Sequence, residues 1–146
     1  EIEPVAAAAI RLAETVSGAD YLDAVETVHD VCRAVAPFFM RHDALLTATM
    51  AEPPAEIGRF AHDRFDDFRA YRLGAEGVLP YSPFCPLWNA TGQPAASLPL
   101  GRSASGLPVG VQIATGFGED EALMALAAEV EAARPWFGRR PPAASA

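Results

Sequence analysis

Four groupings in this 146-residue chain have side chains of the kinds that do chemistry. Ser103 and Ser105 lie between glycines in GRSASG, residues 101–106, which invites comparison with a G-x-S-x-G nucleophile elbow. The glycine after Ser103 comes one residue late and no helical pattern follows, so a solvated loop between two strands is expected. His62 and Asp66 are four apart and would share a face of a helix, offering two ligands to a metal. Two are too few, and Arg64 and Arg69 beside them favour a charged surface. Cys85 sits in the aromatic, Pro-rich segment YSPFCPLWN with no local base or positive field to make its thiolate, so pocket lining or packing is expected. Gly116-Phe117-Gly118 stands between a strand and a helix as a dinucleotide-binding turn does. Position 121, where the third glycine would fall, is Glu, and Glu119, Asp120 and Glu121 together would repel a pyrophosphate. His29 and His42 have no partner at ligand spacing, and Asn89-Ala90-Thr91 is a glycosylation site only in a secreted chain. The expectation is therefore no catalytic residue, no metal and no cofactor in this chain.

All eleven basic side chains are arginines, so the chain contains no lysine. Schiff-base, general-base and phosphate-clamp roles that need a lysine are excluded within it. A net charge of −8 lacks the electrostatic footprint of a nucleic-acid or anionic-membrane binder, so neither partner is expected. Two cysteines, Cys32 and Cys85, have neither metal-knuckle spacing nor the density of a disulfide scaffold, which fits a reducing, cytoplasmic setting. No apolar run approaches the length that spans a bilayer. The chain begins at Glu1 and runs almost at once into helical sequence, as expected for a start in mid-chain.

The elements that must position these residues follow from periodicity. Pro4 suits a first helical turn, and a short helix is predicted from there to Val16, before Ser17-Gly18 interrupts. From Asp20, apolar residues recur at three and four positions through Phe39, predicting a long helix that Pro37 kinks or ends. Leu45 to Met50 reads as a buried strand stopped by Pro53-Pro54. Residues 60–73 return to helical spacing. Between Gly74 and Gly110 the density of Gly and Pro predicts turns and short strands. There, 95–100 and 107–114 form an antiparallel pair across the loop 101–106. A closing helix follows Gly118, with its acidic first turn set against the positive end of the dipole. Helices interleaved with strands give an α/β fold in one domain over 1–146, with a loose tail at 139–146.

Three segments taken together resemble the C-terminal part of the amidase signature family: DALLTATMAEPPAEIG at 43–58, NATGQPAASLPLG at 89–101, and GLPVGVQIATGFGEDEALMALAAEVEAARPW at 106–136. The resemblance spans roughly residues 20–141, and departs from the pattern at Ala48, where the family usually has Pro. It implies the C-terminal portion of a mixed sheet flanked by helices. It also implies a carboxamide hydrolase working through a Lys, a bridging Ser and a nucleophilic Ser in a Gly/Ser-rich signature. None of those is present here, so this chain is expected to be inactive alone and to supply scaffold and one wall of the cleft.

Pro94 and Pro99 restrict the backbone of the 88–101 stretch, while Gly92 and Gly101 permit turns and close approach, so this stretch is expected to brace its neighbours. Phe84, Cys85, Trp88 and Asn89, just before the brace, are the expected substrate-binding residues, because clefts pair apolar walls with a few polar groups. Ordinary core and turn roles stand as the alternative for each. The expected partner is a small linear or cyclic amide, and association into a homo-oligomer is expected if a strand edge or apolar face is left open. Two other readings stand beside this one: a non-catalytic binding or scaffold module of amidase-like fold, and an amidase-like subunit of a transamidase.

Overall fold

The computed structural model describes residues 2–140; the remainder of the tail expected to be loose lies outside the described residues. Helix α1 (Pro4–Ala13) starts on Pro4 and ends earlier than expected. Helix α2 (Gly18–Phe39) starts in a capping box, in which the Ser17 hydroxyl accepts from the Asp20 amide and the Asp20 carboxylate accepts from the Ser17 amide. The Ser17 hydroxyl also donates to the Asp20 carboxylate at 2.6 Å, and this bond, with that from the Ser17 amide, holds the Asp20 carboxyl below the ordinary aspartate range. The helix passes through Pro37 and stops two residues later. Strand β1 (Leu45–Ala48) is two residues shorter than expected.

The single helix expected over 60–73 is not formed. A 3-10 turn at His62–Arg64 is followed by extended backbone at Phe65, and α3 (Phe68–Leu73) begins only after Asp67. Asp67 is the reason: its carboxylate accepts from the Ala70 amide at 2.7 Å, and a short acidic side chain used as a cap starts a helix rather than continuing one. Two further short helices, α4 (Val78–Tyr81) and α5 (Cys85–Thr91), occupy the stretch read as turns and short strands. Helix α5 tolerates Pro86 in its first turn, where the missing N–H has no partner to lose, and ends on Gly92 at φ +77°.

Strands β2 (Ala95–Arg102) and β3 (Pro108–Ala114) form the expected antiparallel hairpin, and β1 pairs with the other edge of β3, giving the order β1-β3-β2. Both pairings are antiparallel, so a mixture of parallel and antiparallel pairs is not seen among the described residues. The register slips between Leu98 and Gly101, which places Pro99 in an irregularity on an edge strand, where its lack of an N–H breaks no ladder. Helix α6 (Asp120–Ala133) closes the chain as expected. It lays Leu123, Leu126, Ala127 and Val130 over Leu98 and Ile113, and this is the hydrophobic core.

Candidate functional site: a polar face of the sheet under helix α5

Cross-strand pairing puts Thr47, Gln112 and Ser97 side by side on one face of the sheet, the face opposite the core. Helix α5 carries Cys85 and Trp88 onto that face. The Trp88 indole N–H donates to Gln112 Oε1 at 2.9 Å, and Thr47 Oγ1 donates to the same oxygen at 3.3 Å. Gln112 Nε2 lies 3.6 Å from Cys85 Sγ, which in turn contacts the Thr49 carbonyl at 3.5 Å. Thr49 Oγ1 and Ser97 Oγ are 2.6 Å apart. A side chain at Gly110 would collide with both hydroxyls, at 2.5 and 2.6 Å, so glycine is required there by close approach. Helix α2 backs this layer through Phe39, whose ring meets Trp88 edge-on with centroids 6.2 Å apart.

Of the four residues expected to bind substrate, the fold brings two together and separates two. Trp88 is buried and Cys85 half-buried, both inside the network, whereas Phe84 and Asn89 are exposed and make no bond within it. Gln112, Thr49, Ser97 and Gly110 belong with Trp88 and Cys85 and were not singled out by sequence. The signal was present in part: Thr47 and Thr49 alternate within an apolar run, and Gln112 interrupts VGVQIA. No carboxylate or imidazole takes part in these contacts. The network can therefore fix geometry and offer hydrogen bonds.

The other chemical groupings resolve separately. His62 and Asp66 do not share a helix. The His62 ring pairs through Nδ1 with the Glu3 carboxylate, and the Asp66 carbonyl accepts from Arg11. His42 stacks on Phe38, and exposed His29 lies 4.0 Å from Glu26. Among the described residues no group of three His, Cys, Asp or Glu side chains could hold a metal ion. The serines of 101–106 bond to each other and to the Leu107 amide in a turn ending at Gly106, φ +84°. At the start of α6, Glu119 folds its own carboxylate back onto the Gly116 amide at 3.1 Å, filling the place an anion would take. No helix among the described residues is long and apolar enough to cross a membrane.

A family model described as Amidase matches residues 3–124. The 6-aminohexanoate-cyclic-dimer hydrolase of Paenarthrobacter ureafaciens is 37% identical over 100 residues, which is 68% of this chain and 20% of that protein. A solved structure of 6-aminohexanoate cyclic dimer hydrolase superposes with a TM-score of 0.83 at 31% identity, covering 97% of this chain and 30% of the other. A bacterial aryl acylamidase described as an amidase signature enzyme superposes with a TM-score of 0.67 at 26% identity, over 90% of this chain and 28% of that one. The chain spans about a fifth of the length of the curated relatives it matches. With a family model matching most of its length and a fold shared with these enzymes, the chain belongs to the amidase signature family.

Proposed function

We propose that this chain is the C-terminal part of an amidase signature hydrolase that cleaves carboxamide C–N bonds, and that it supplies scaffold and one wall of the substrate cleft. The observation that carries this reading is the partial match: nearly the whole chain superposes on less than a third of a cyclic-amide hydrolase. A Lys and two Ser lying outside the chain would perform the chemistry. The absence of lysine and of a Gly/Ser-rich signature supports that division of labour, because a serine nucleophile needs a base and oxyanion donors. In this reading the Thr47–Gln112–Trp88 network fixes α5, and the exposed Phe84 and Asn89 at and on that helix face a small linear or cyclic amide, with Cys85 and Trp88 behind them. The solved relative was also determined with its substrate bound, which supports a small-molecule amide as the ligand class. Free thiols at Cys32 and Cys85 fit a reducing, cytoplasmic setting.

The uncovered surfaces fit the same reading. Tyr21, Leu22 and Val28 of α2 and Leu46 of the edge strand β1 are exposed, which favours association of the isolated chain. The test compares the 146-residue chain with a longer natural protein whose upstream reading frame supplies the lysine and the signature. The longer protein hydrolyses a simple amide and the chain alone does not. Turnover by the pure 146-residue chain, or a start codon at this point in the gene, overturns the proposal in favour of a stand-alone module.

A further inference from the structure

At the distal end of the β2–β3 hairpin, a cavity of about 560 Å³ opens between the hairpin loop and the segment that follows α6. Its apolar wall is made by Leu107, Trp136 and Phe137, and its polar rim by Arg102, Arg139 and Arg140. Trp136 packs against the Leu98–Ile113–Leu123 core, so the cavity lies on the α6 side, across the sheet from Cys85 and Trp88. Arg102 is fixed by donating from Nη1 to the Gly106 carbonyl at 3.1 Å. No carboxylate lines the cavity, in a chain whose net charge is −8, and none of the three arginines forms an ion pair among the described residues. Phe137 is 79% exposed at its mouth.

Arg102, Arg139 and Arg140 are among the residues lining this pocket and no carboxylate residue is, in a chain of net charge −8, and that combination selects an anion with an apolar body. Planar guanidinium matches a carboxylate through paired, charge-assisted hydrogen bonds, while aromatic walls bury the hydrocarbon. We propose that this cavity is a binding site for small carboxylic acids with an aliphatic or aromatic body. Hydrolysis of an amide adds water across the C–N bond and releases an acid and an amine. On the hydrolase reading above, on which this last step alone rests, the acid product is a ligand of this class.

Calorimetric titration of the full-length protein with hexanoate, hexan-1-ol, hexylamine and inorganic phosphate tests the site. Hexanoate binds about tenfold or more tighter than hexan-1-ol, because the charge-assisted pair is lost in the neutral alcohol. Hexylamine and phosphate do not compete for it. The exposed pair Arg139→Gln/Arg140→Gln weakens hexanoate by a similar factor, and Arg102→Gln does so independently. Equal affinity for hexanoate and hexan-1-ol overturns the proposal. So does equal binding of phosphate, or hexanoate binding unchanged in both arginine variants. Should any variant fail to fold, the comparison of hexanoate with hexan-1-ol on the unaltered protein still decides. None of these ligands has an amide bond, so binding is read without turnover, and its failure leaves amide hydrolysis by the full-length protein as a separate question.

Discussion

Ile113 and Gln112 are neighbours on β3, both buried, at 1% and 6% exposure, and they face opposite sides of the same sheet. Ile113 meets Leu98 and the α6 leucines through dispersion and water exclusion, which have no preferred direction. Gln112 is spoken for atom by atom: its oxygen takes Trp88 and Thr47, and its nitrogen faces Cys85. The apolar face gives the larger share of the stability, since burial scales with area. The polar face gives placement, because each bond has a length and an angle that fixes α5 over the strands.

The largest effect that separates the two faces is Ile113→Ala. Removing those methyl groups from a 1%-exposed site leaves a cavity and destabilises by about 2–5 kcal/mol in urea denaturation. The placement of α5 stays unchanged, as reported by the NMR resonance of the Trp88 indole N–H, which the second tryptophan, Trp136, packed on the core face, does not share. Gln112→Ala reverses the pattern. It strands the buried Trp88 N–H and costs about 1–3 kcal/mol, and it also shifts the Trp88 indole N–H resonance. A double-mutant cycle with Trp88→Phe returns much of the loss, because the phenyl ring has no donor to strand. A cycle that shows simple additivity would reduce the polar face to incidental packing.

Gly110→Ala sharpens the same comparison at one point. Its new Cβ would meet Ser97 Oγ and Thr49 Oγ1 at 2.5 and 2.6 Å, and the cost is roughly 1–3 kcal/mol as the strands yield. Adding Ser97→Ala removes one of the two obstacles and recovers part of it. An alanine at 110 that leaves the denaturation midpoint unmoved would mean the hydroxyl pair is not held tightly.

These two faces were unequally legible in the sequence. The α6 stripe, the long α2 and the β2–β3 hairpin were readable because burial against a single apolar layer imposes a period, and a period survives without knowing the partner. The polar face left only scattered letters: Thr47, Ser97 and Gln112 come from three strands and Thr49 from just beyond β1, and their meeting depends on register, which no local pattern prints. Cys85 and Trp88 lie in a segment expected to turn, which instead coils into α5. Two prolines argued for turns, while Pro86 in fact sits in a first helical turn, where it is harmless. Residues 60–73 misled for the opposite reason. Phe60, Phe65 and Phe68 have helical spacing, but Asp67 caps a new helix and splits the run. In both places a side chain bonding to local backbone, or a missing N–H, outweighed periodicity.

The smallest effect concerns the loop that borders the polar face beyond Gly110. Glu52 there pairs with Arg59 at 2.8 Å, and Arg59 lies over the rings of Phe60 and Tyr81. Tyr81 ties the loop down twice, its hydroxyl accepting from the Ala55 amide and its carbonyl from the Ala51 amide. Hydrogen bonding from Arg59 holds the Glu52 carboxyl below the ordinary glutamate range, and the pairing raises Arg59 in return. A carboxyl depressed in the folded state contributes stability that is present above its unfolded pKa of about 4.3 and is lost as pH falls through the lower folded value. Both groups are solvent-accessible, so the effect is local and salt-screened rather than global. Hydrogen-exchange protection of the Ala51 and Ala55 amides, taken relative to intrinsic rates, falls as pH drops below about 4.3, while that of the Ile113 amide in the sheet does not. Glu52→Gln lowers the Ala51 and Ala55 protection at neutral pH and flattens its dependence on acid. If acid loosens Ile113 together with the loop, the two faces do not respond separately, and the division between a core face and a positioning face fails at its edge.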